Sequence, residues 1–467
     1  MSLVFYDTET TGISTSFDQI LQFGAIRTDT ELKEIDRFST RSRLQGRVLA
    51  HPKALFVTGV TVAQLTDSSL PSHYEMMRTI QRQLNGWSPS VFIGYNSLSF
   101  DEHLLRSALW KTLHSPYLTN TDGNSRADAM KMVQAVSILR PDIFSIPTGE
   151  KGGPSFKLDA IAPANGFDHS SAHDAIGDVS ATIHLCGLIA ERAPDLWSDF
   201  MRFAQKAAVL DFAENEPAFG LIEFRYNKPY VYLLTMIGRN RANQAELYAY
   251  DLGVDPAELS GLTDEGLSSR INESPRLFRR IKANAAPILI TLDGVPAIAA
   301  SRSLGNDELL RRAGLVATDS ALGARIVAAI ERDERPKSPS EHIEEQIYDG
   351  FASREDMAVA DSFHQKPWED RAATIDQLAD GRLKVLARRL LYDKDPELLR
   401  PDARDAERRL ISERLLSGAT DLPWCTLTQA IADCRKLISA QPAGEAEHLR
   451  DYLAYCESRQ EELRALD

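Results

Sequence analysis

Three short segments place acidic residues where a strand ends or a helix begins. In Asp7-Thr8-Glu9, residues i and i+2 of a strand share a face, so both carboxylates could reach one site. The plainer alternative is that the apolar run Leu3 to Tyr6 ends at Asp7 and both acids face water. In Gly94-Tyr95-Asn96-Ser97-Leu98-Ser99-Phe100-Asp101 a strand gives way to a polar loop, with an acid at the head of the next helix. Such an Asp is also an ordinary helix cap. The third segment is His173-Asp174-Ala175-Ile176-Gly177-Asp178. Deep in one helix, His173 and Asp178 would lie roughly 140° apart. With His173 in the loop before the helix and Asp178 in its first turns, both could face one cleft. A structural histidine and an Asp favoured by the helix dipole are the plain readings there.

Taken together, four acids and one histidine supply what metal-assisted hydrolysis needs. Hard Mg²⁺ prefers carboxylate oxygen and water. Two such ions can stabilise the attacking and leaving oxygens of an in-line displacement. A histidine, with its ordinary pKa of about 6.5, can accept a proton from the attacking water near neutral pH.

The elements that must position these residues are legible in outline. Leu3 to Tyr6, residues 20–28 and 32–38, and Val91 to Tyr95 read as strands. Residues 73–85, about 100–113 and about 173–191 read as helices, the last with Ile176, Val179, Ile183, Cys186 and Ala190 at helical spacing. The order predicts a mixed α/β sheet flanked by helices. From about 217 to 300 come short β-rich runs broken by Pro and Gly: Gly220 to Phe224, Tyr230 to Met236, Glu246 to Asp251 and Ile288 to Leu292. Residues 331–345, dense in charge and Pro, read as a linker, and the remainder to Asp467 as a helical bundle.

The 467 residues suit two to four domains, and 43% hydrophobic composition can fill several cores. No apolar run reaches the eighteen or so residues of a membrane span, and the N-terminus lacks the basic segment of a secretory leader. The four cysteines, Cys186, Cys425, Cys434 and Cys456, form no metal-binding spacing and read as free thiols in a reducing cytoplasm. A net charge of −14 argues against nucleic acid at first sight. A local basic groove can still bind phosphate, and bound metal reverses the effect of its own ligands.

The three acidic segments, in this order, resemble the motifs of the DEDDh 3′–5′ exonucleases, which include polymerase proofreading subunits, oligoribonuclease and RNase T. Similarity to the bacterial exonuclease I family extends further. It takes in Ala25-Ile26-Arg27-Thr28-Asp29, Asn124-Ser125-Arg126, Leu139-Arg140-Pro141, Pro154-Ser155-Phe156-Lys157-Leu158 and Ala164-Asn165-Gly166. Downstream it takes in Pro339-Ser340 and Gln346-Ile347-Tyr348-Asp349-Gly350-Phe351, which the smaller relatives do not need. The resemblance implies an RNase H-like exonuclease domain over 1–193, an SH3-like domain over 198–339 and a C-terminal helical domain over 341–467. It implies Asp7, Glu9, Asp101 and Asp178 as ligands of two Mg²⁺ ions, with Mn²⁺ able to substitute, and His173 as general base. The substrate would be single-stranded DNA, degraded from its 3′ end to 5′-mononucleotides in repair and recombination.

Glu9, Arg106, Tyr117, Lys157 and Lys206 fall where the family touches DNA. Lys157 stands where better-known members carry Arg, keeping the charge but losing the bidentate fork. The family also docks the acidic tail of single-stranded DNA-binding protein. Arg140 falls on one basic residue of that pocket, and Asp199 where an aromatic one would align. A monomer able to surround its substrate is expected. Two rivals stay open: the same chemistry on RNA, decided by a sugar pocket that sequence does not reveal, and a recruitment module with a dispensable site. The second would show a lost ligand, and none of the five is lost.

Overall fold

The computed structural model describes residues 1–168, 174–259, 261–299, 304–333, 338–442 and 446–466. Its first sheet is built from β1 (Ser2–Thr10), β2 (Ile20–Thr28), β3 (Glu34–Arg41), β4 (Ser90–Gly94) and β5 (Ser125–Asp128). They lie in the order β3-β2-β1-β4-β5. β1 is antiparallel to β2, β2 to β3, whereas β1, β4 and β5 run parallel. This is the mixed sheet expected.

β1 shows why both faces are covered. Leu3 and Phe5 enter one core with Val179, Leu185, Cys186 and Ile189 of the Ala175–Arg192 helix. Val4 and Tyr6 enter another, with Met76, Met77 and Ile80 of the His73–Gly86 helix and Leu104 and Leu105 of the Asp101–Lys111 helix. Successive strand residues point to opposite faces, so an unbroken apolar run must be buried on both. β1 does not end at Asp7, as the plainer reading had it. Pairing with β2 carries Asp7 opposite Gly24 and Glu9 opposite Gln22.

β5 and the Ala129–Leu139 helix escaped the sequence reading. β5, Ser-Arg-Ala-Asp, has no apolar alternation, yet it is buried throughout because its polar groups find partners. Arg126 bonds Glu102 at 2.8 Å, Asp128 accepts backbone N–H groups, and Ser125 bonds Gln205 at 2.8 Å.

The second sheet is antiparallel throughout, in the order β10-β6-β7-β8-β9. Its strands are β6 (Phe219–Arg225), β7 (Lys228–Arg239), β8 (Glu246–Asp251), β9 (Phe278–Lys282) and β10 (Ile288–Thr291). β9, Phe-Arg-Arg-Ile-Lys, was missed for its charge; Arg279 and Arg280 pair with Asp251 and Glu246 on its neighbour. Helices Gly305–Thr318 and Ser320–Asp333 follow, so the start of the expected linker belongs to a helix.

The remaining chain is helical, as expected, and docks on the first sheet's surroundings in two places. Tyr74, Trp110 and Leu113 share a core with residues from Ile347 to Leu391. Leu21, Leu49 and Leu55 share another with residues from Ile411 to Leu463. All four cysteines are free, as expected, and all four are buried. No single described helix is long and apolar enough to cross a membrane.

Candidate active site

The strand face that carries Leu3 and Phe5 also carries Asp7 and Glu9, so both acids point toward the Ala175–Arg192 helix. That helix approaches closely because β2 has a glycine there. A Cβ on Gly24 would stand 2.9 Å from the Cβ of Ala175. Asp174 caps the helix by accepting from the Ile176 N–H at 3.2 Å. It is itself held by Gln22 at 2.9 Å and Arg41 at 3.1 Å, which ties the helix start to β2 and β3. Asp178, one turn further on, is thereby brought against Asp7.

Oxygens of Asp7, Glu9 and Asp178 lie within 4.8 Å of one another. Their electrostatics follow from burial among like charges. Asp7 is pushed well above the carboxylate range by burial, then by Asp101, Asp178 and Glu9. Glu9 is raised to about 8 by burial and by Asp178 and Asp101, with Arg41 opposing. No salt bridge among the described residues reaches Asp7 or Glu9. Three clustered oxygen donors, with Asp7 and Glu9 raised by the like charges around them, fit a hard divalent cation.

Asp101 stands beside this group and outside it. Its carboxylate accepts the Thr8 hydroxyl at 2.5 Å, and burial raises its pKa to about 7. Thr8 is on the opposite face of β1 from its two acidic neighbours, so the strand offers one donor to Asp101 while turning two acids into the cleft. The loop before Asp101 is fixed by Asp128, which sequence reasoning missed. Asp128 accepts from the N–H of Asn96 at 3.0 Å and of Leu98 at 3.2 Å, and caps the Ala129–Leu139 helix through Met130. The only available signal was an Asp before an apolar helical run, which reads as a cap alone.

His173 lies outside the described residues. Lys157 is exposed and lines a cleft of about 350 Å³ with Asp178, Asn96 and Tyr95, so the structure places it on the same cleft as one of the three clustered acids. Arg106 is turned inward. It bonds Glu102 at 2.7 Å and Asn120 at 3.1 Å, and its guanidinium lies over the Tyr117 ring at 5.4 Å. Tyr117 in turn meets Phe351, an 84% exposed ring from the C-terminal helical region, at 5.8 Å. Glu102, also missed, organises this corner by accepting from Arg106, Arg126, Thr119 and Tyr6.

Lys206 is exposed and is not brought to the acids. The preceding Gln205 bonds Ser125 at the start of β5, the end of the parallel strands away from Asp7. Arg140 is paired with Asp195 at 2.9 Å, and Asp199 lies one helical turn beyond Asp195.

The Exonuclease family model matches residues 4–186, which include every residue of the acidic cluster. Exodeoxyribonuclease I of Escherichia coli strain K12 is 25% identical over 387 residues, covering 77% of this chain and 78% of that protein. Among solved structures, a moderately thermophilic exonuclease I from Methylocaldum szegediense is 26% identical, with a TM-score of 0.82 over 98% of this chain and 99% of that one. This chain is similar, nearly end to end, to bacterial exonuclease I. The E. coli exonuclease I solved with a dA16 oligonucleotide has the same fold, with a TM-score of 0.82 at 22% identity and 98% coverage of this chain.

Proposed function

We propose that this exonuclease I-like chain hydrolyses single-stranded DNA from its 3′ end to 5′-mononucleotides, as a divalent-metal-dependent exodeoxyribonuclease of DNA repair. The observation that carries the reading is the Asp7, Glu9 and Asp178 cluster, whose carboxylate oxygens lie within 4.8 Å of one another inside a match to the Exonuclease family. Asp7, Glu9 and Asp178, joined by Asp101, would hold two Mg²⁺ ions, with Mn²⁺ able to replace them. Bound there, the ions supply charge to stabilise the attacking and leaving oxygens of the phosphodiester.

The chain's own residues do the rest. His173 takes the proton of the attacking water, and Asp174 fixes the start of the helix that carries Asp178. Lys157 neutralises a phosphate beside the acids, as a point charge in place of a guanidinium fork. Tyr117, backed by Arg106 and next to Phe351, offers a ring face to an unpaired base.

The first sheet, with its order β3-β2-β1-β4-β5, supports an RNase H-like exonuclease domain over 1–193. The small antiparallel second sheet supports an SH3-like domain over 198–339, and the last helices a separate unit over 341–467. A cytoplasmic monomer fits four buried thiols and a groove formed within one chain. Docking of the acidic tail of single-stranded DNA-binding protein would use Arg140, where Asp195 and Asp199 now place two negative charges.

The test gives the purified protein 5′-labelled single-stranded DNA, duplex DNA and matching RNA, with Mg²⁺ or with EDTA. A ladder that shortens only on single-stranded DNA with metal is expected. Equal shortening of RNA would move the reading to the oligoribonuclease class, and shortening in EDTA would end the metal assignment.

A further inference from the structure

The β6–β7 hairpin turns through two residues, Tyr226 and Asn227, between the paired Arg225 and Lys228. Both have positive φ, 53° and 59°, as a two-residue hairpin of the mirror-image type requires. Asn suits that backbone, but a bulky aromatic residue there is an outlier. Tyr226 gains no burial in exchange. At 97% exposure it is the most exposed of the large hydrophobic and aromatic side chains described. A strained position that leaves a ring in solvent points to a ligand for the ring.

Its placement says which ligand. Asn227 donates to the Pro154 carbonyl at 3.0 Å, and Phe224 packs edge-on against Phe156 at 5.6 Å. The hairpin tip is thus anchored to the wall of the cleft that holds Asp178. Asn227 lines that cleft and also a larger groove of about 520 Å³ between the first sheet's helices and the second sheet. Tyr226 lines the larger groove together with four cations, Lys131, Arg225, Arg280 and Lys282, and one acid, Glu223; Arg225 is paired with Glu223 and Arg280 with Glu246. An exposed ring beside a row of cations is the pairing that holds a single strand, the ring on a base and the cations on phosphates.

We propose that Tyr226 is a base-stacking platform that positions the strand just upstream of the scissile bond, and so favours unpaired substrate. The proposal rests on the exonuclease reading. A base in a duplex is already stacked and paired, so only an unpaired one can offer its face to the ring. Stacking is tolerant of sequence, because every base has a flat face.

The test uses oligo(dT) with 2-aminopurine at the second, third or fourth position from the 3′ end, bound in EDTA so that nothing is cut. Tyr226→Asn keeps the turn, since Asn accepts the left-handed backbone, and Tyr226→Trp keeps a ring. The wild type and Tyr226→Trp should quench the probe at one of these positions. Tyr226→Asn should lose the quench and bind roughly five- to one-hundred-fold more weakly. With Mg²⁺, its KM should rise while kcat stays within about two-fold. Undiminished quenching and affinity in Tyr226→Asn would overturn the proposal, as would a fall in kcat at unchanged KM. A wild type that quenches the probe yet degrades no DNA would overturn the exonuclease reading and leave the stacking role standing.

Discussion

Two buried glutamates of this chain have opposite fates. Glu9 is raised to about 8 by burial and by Asp178 and Asp101. Glu344 is also penalised by burial, but Arg389 and Arg414 more than offset it and hold the group down at about 2. Their guanidinium nitrogens stand 2.9 and 2.5 Å from one Glu344 oxygen. Arg47 makes a similar join, to Asp393 at 2.8 Å and Glu407 at 3.3 Å. Where the C-terminal helices dock, both charges come with the chain. In the cleft the carboxylates of Asp7, Glu9 and Asp178 crowd together and Arg41 offsets the shift on Glu9 only in part, so a divalent ion from solution would complete the balance.

The largest way to break this contrast is at Asp178. Asp178→Asn keeps size and removes charge, so kcat on single-stranded DNA with Mg²⁺ should fall on the order of a thousand-fold, with circular dichroism unchanged. Wild-type turnover in that variant would remove Asp178 from the proposed ligands. At the other pole, Arg47→Ala leaves Asp393 and Glu407 without their shared cation. It should cost about 3–5 kcal/mol in urea unfolding. A loss below about 1 kcal/mol would make this join no better than a surface ion pair.

The contrast also sets how much was legible beforehand. Asp7, Glu9 and Asp178 were readable because strand alternation and a helix start place acids predictably, and both faces of β1 had to be buried. The partners that fix them were not. Asp174 reaches Gln22 and Arg41 across a sequence separation of more than a hundred residues, and Glu102 gathers four donors from four elements. β5 and β9 were missed for the same reason. Their polar and charged residues satisfy one another only after the chain has folded, so no local apolar pattern announces a strand. Lys206 rests on resemblance alone: it is exposed next to Gln205, which bonds Ser125 at the end of the parallel strands away from Asp7, so its place as a DNA contact has no support from the acids.

Glu9→Gln gives the smallest and most discriminating effect, because it separates stability from activity. Glu9 titrates at about 8 in the folded protein against an ordinary value of 4.5. Between those values the folded chain binds more protons than the unfolded one, so this group lowers stability as pH rises through the window. Gln does not titrate. The variant should match the wild type near pH 4.5 and become more stable by roughly 1–3 kcal/mol by pH 8 in EDTA, while losing most activity. Mg²⁺ should narrow the gap at pH 8 by stabilising the wild type, and do so less at pH 6, where protons compete for the same oxygens. Thermal unfolding at both pH values, with and without metal, reads all of this out. A variant less stable than the wild type at pH 8 in EDTA would mean that Glu9 has a cationic partner, and the cleft would then belong with Glu344 on the balanced side.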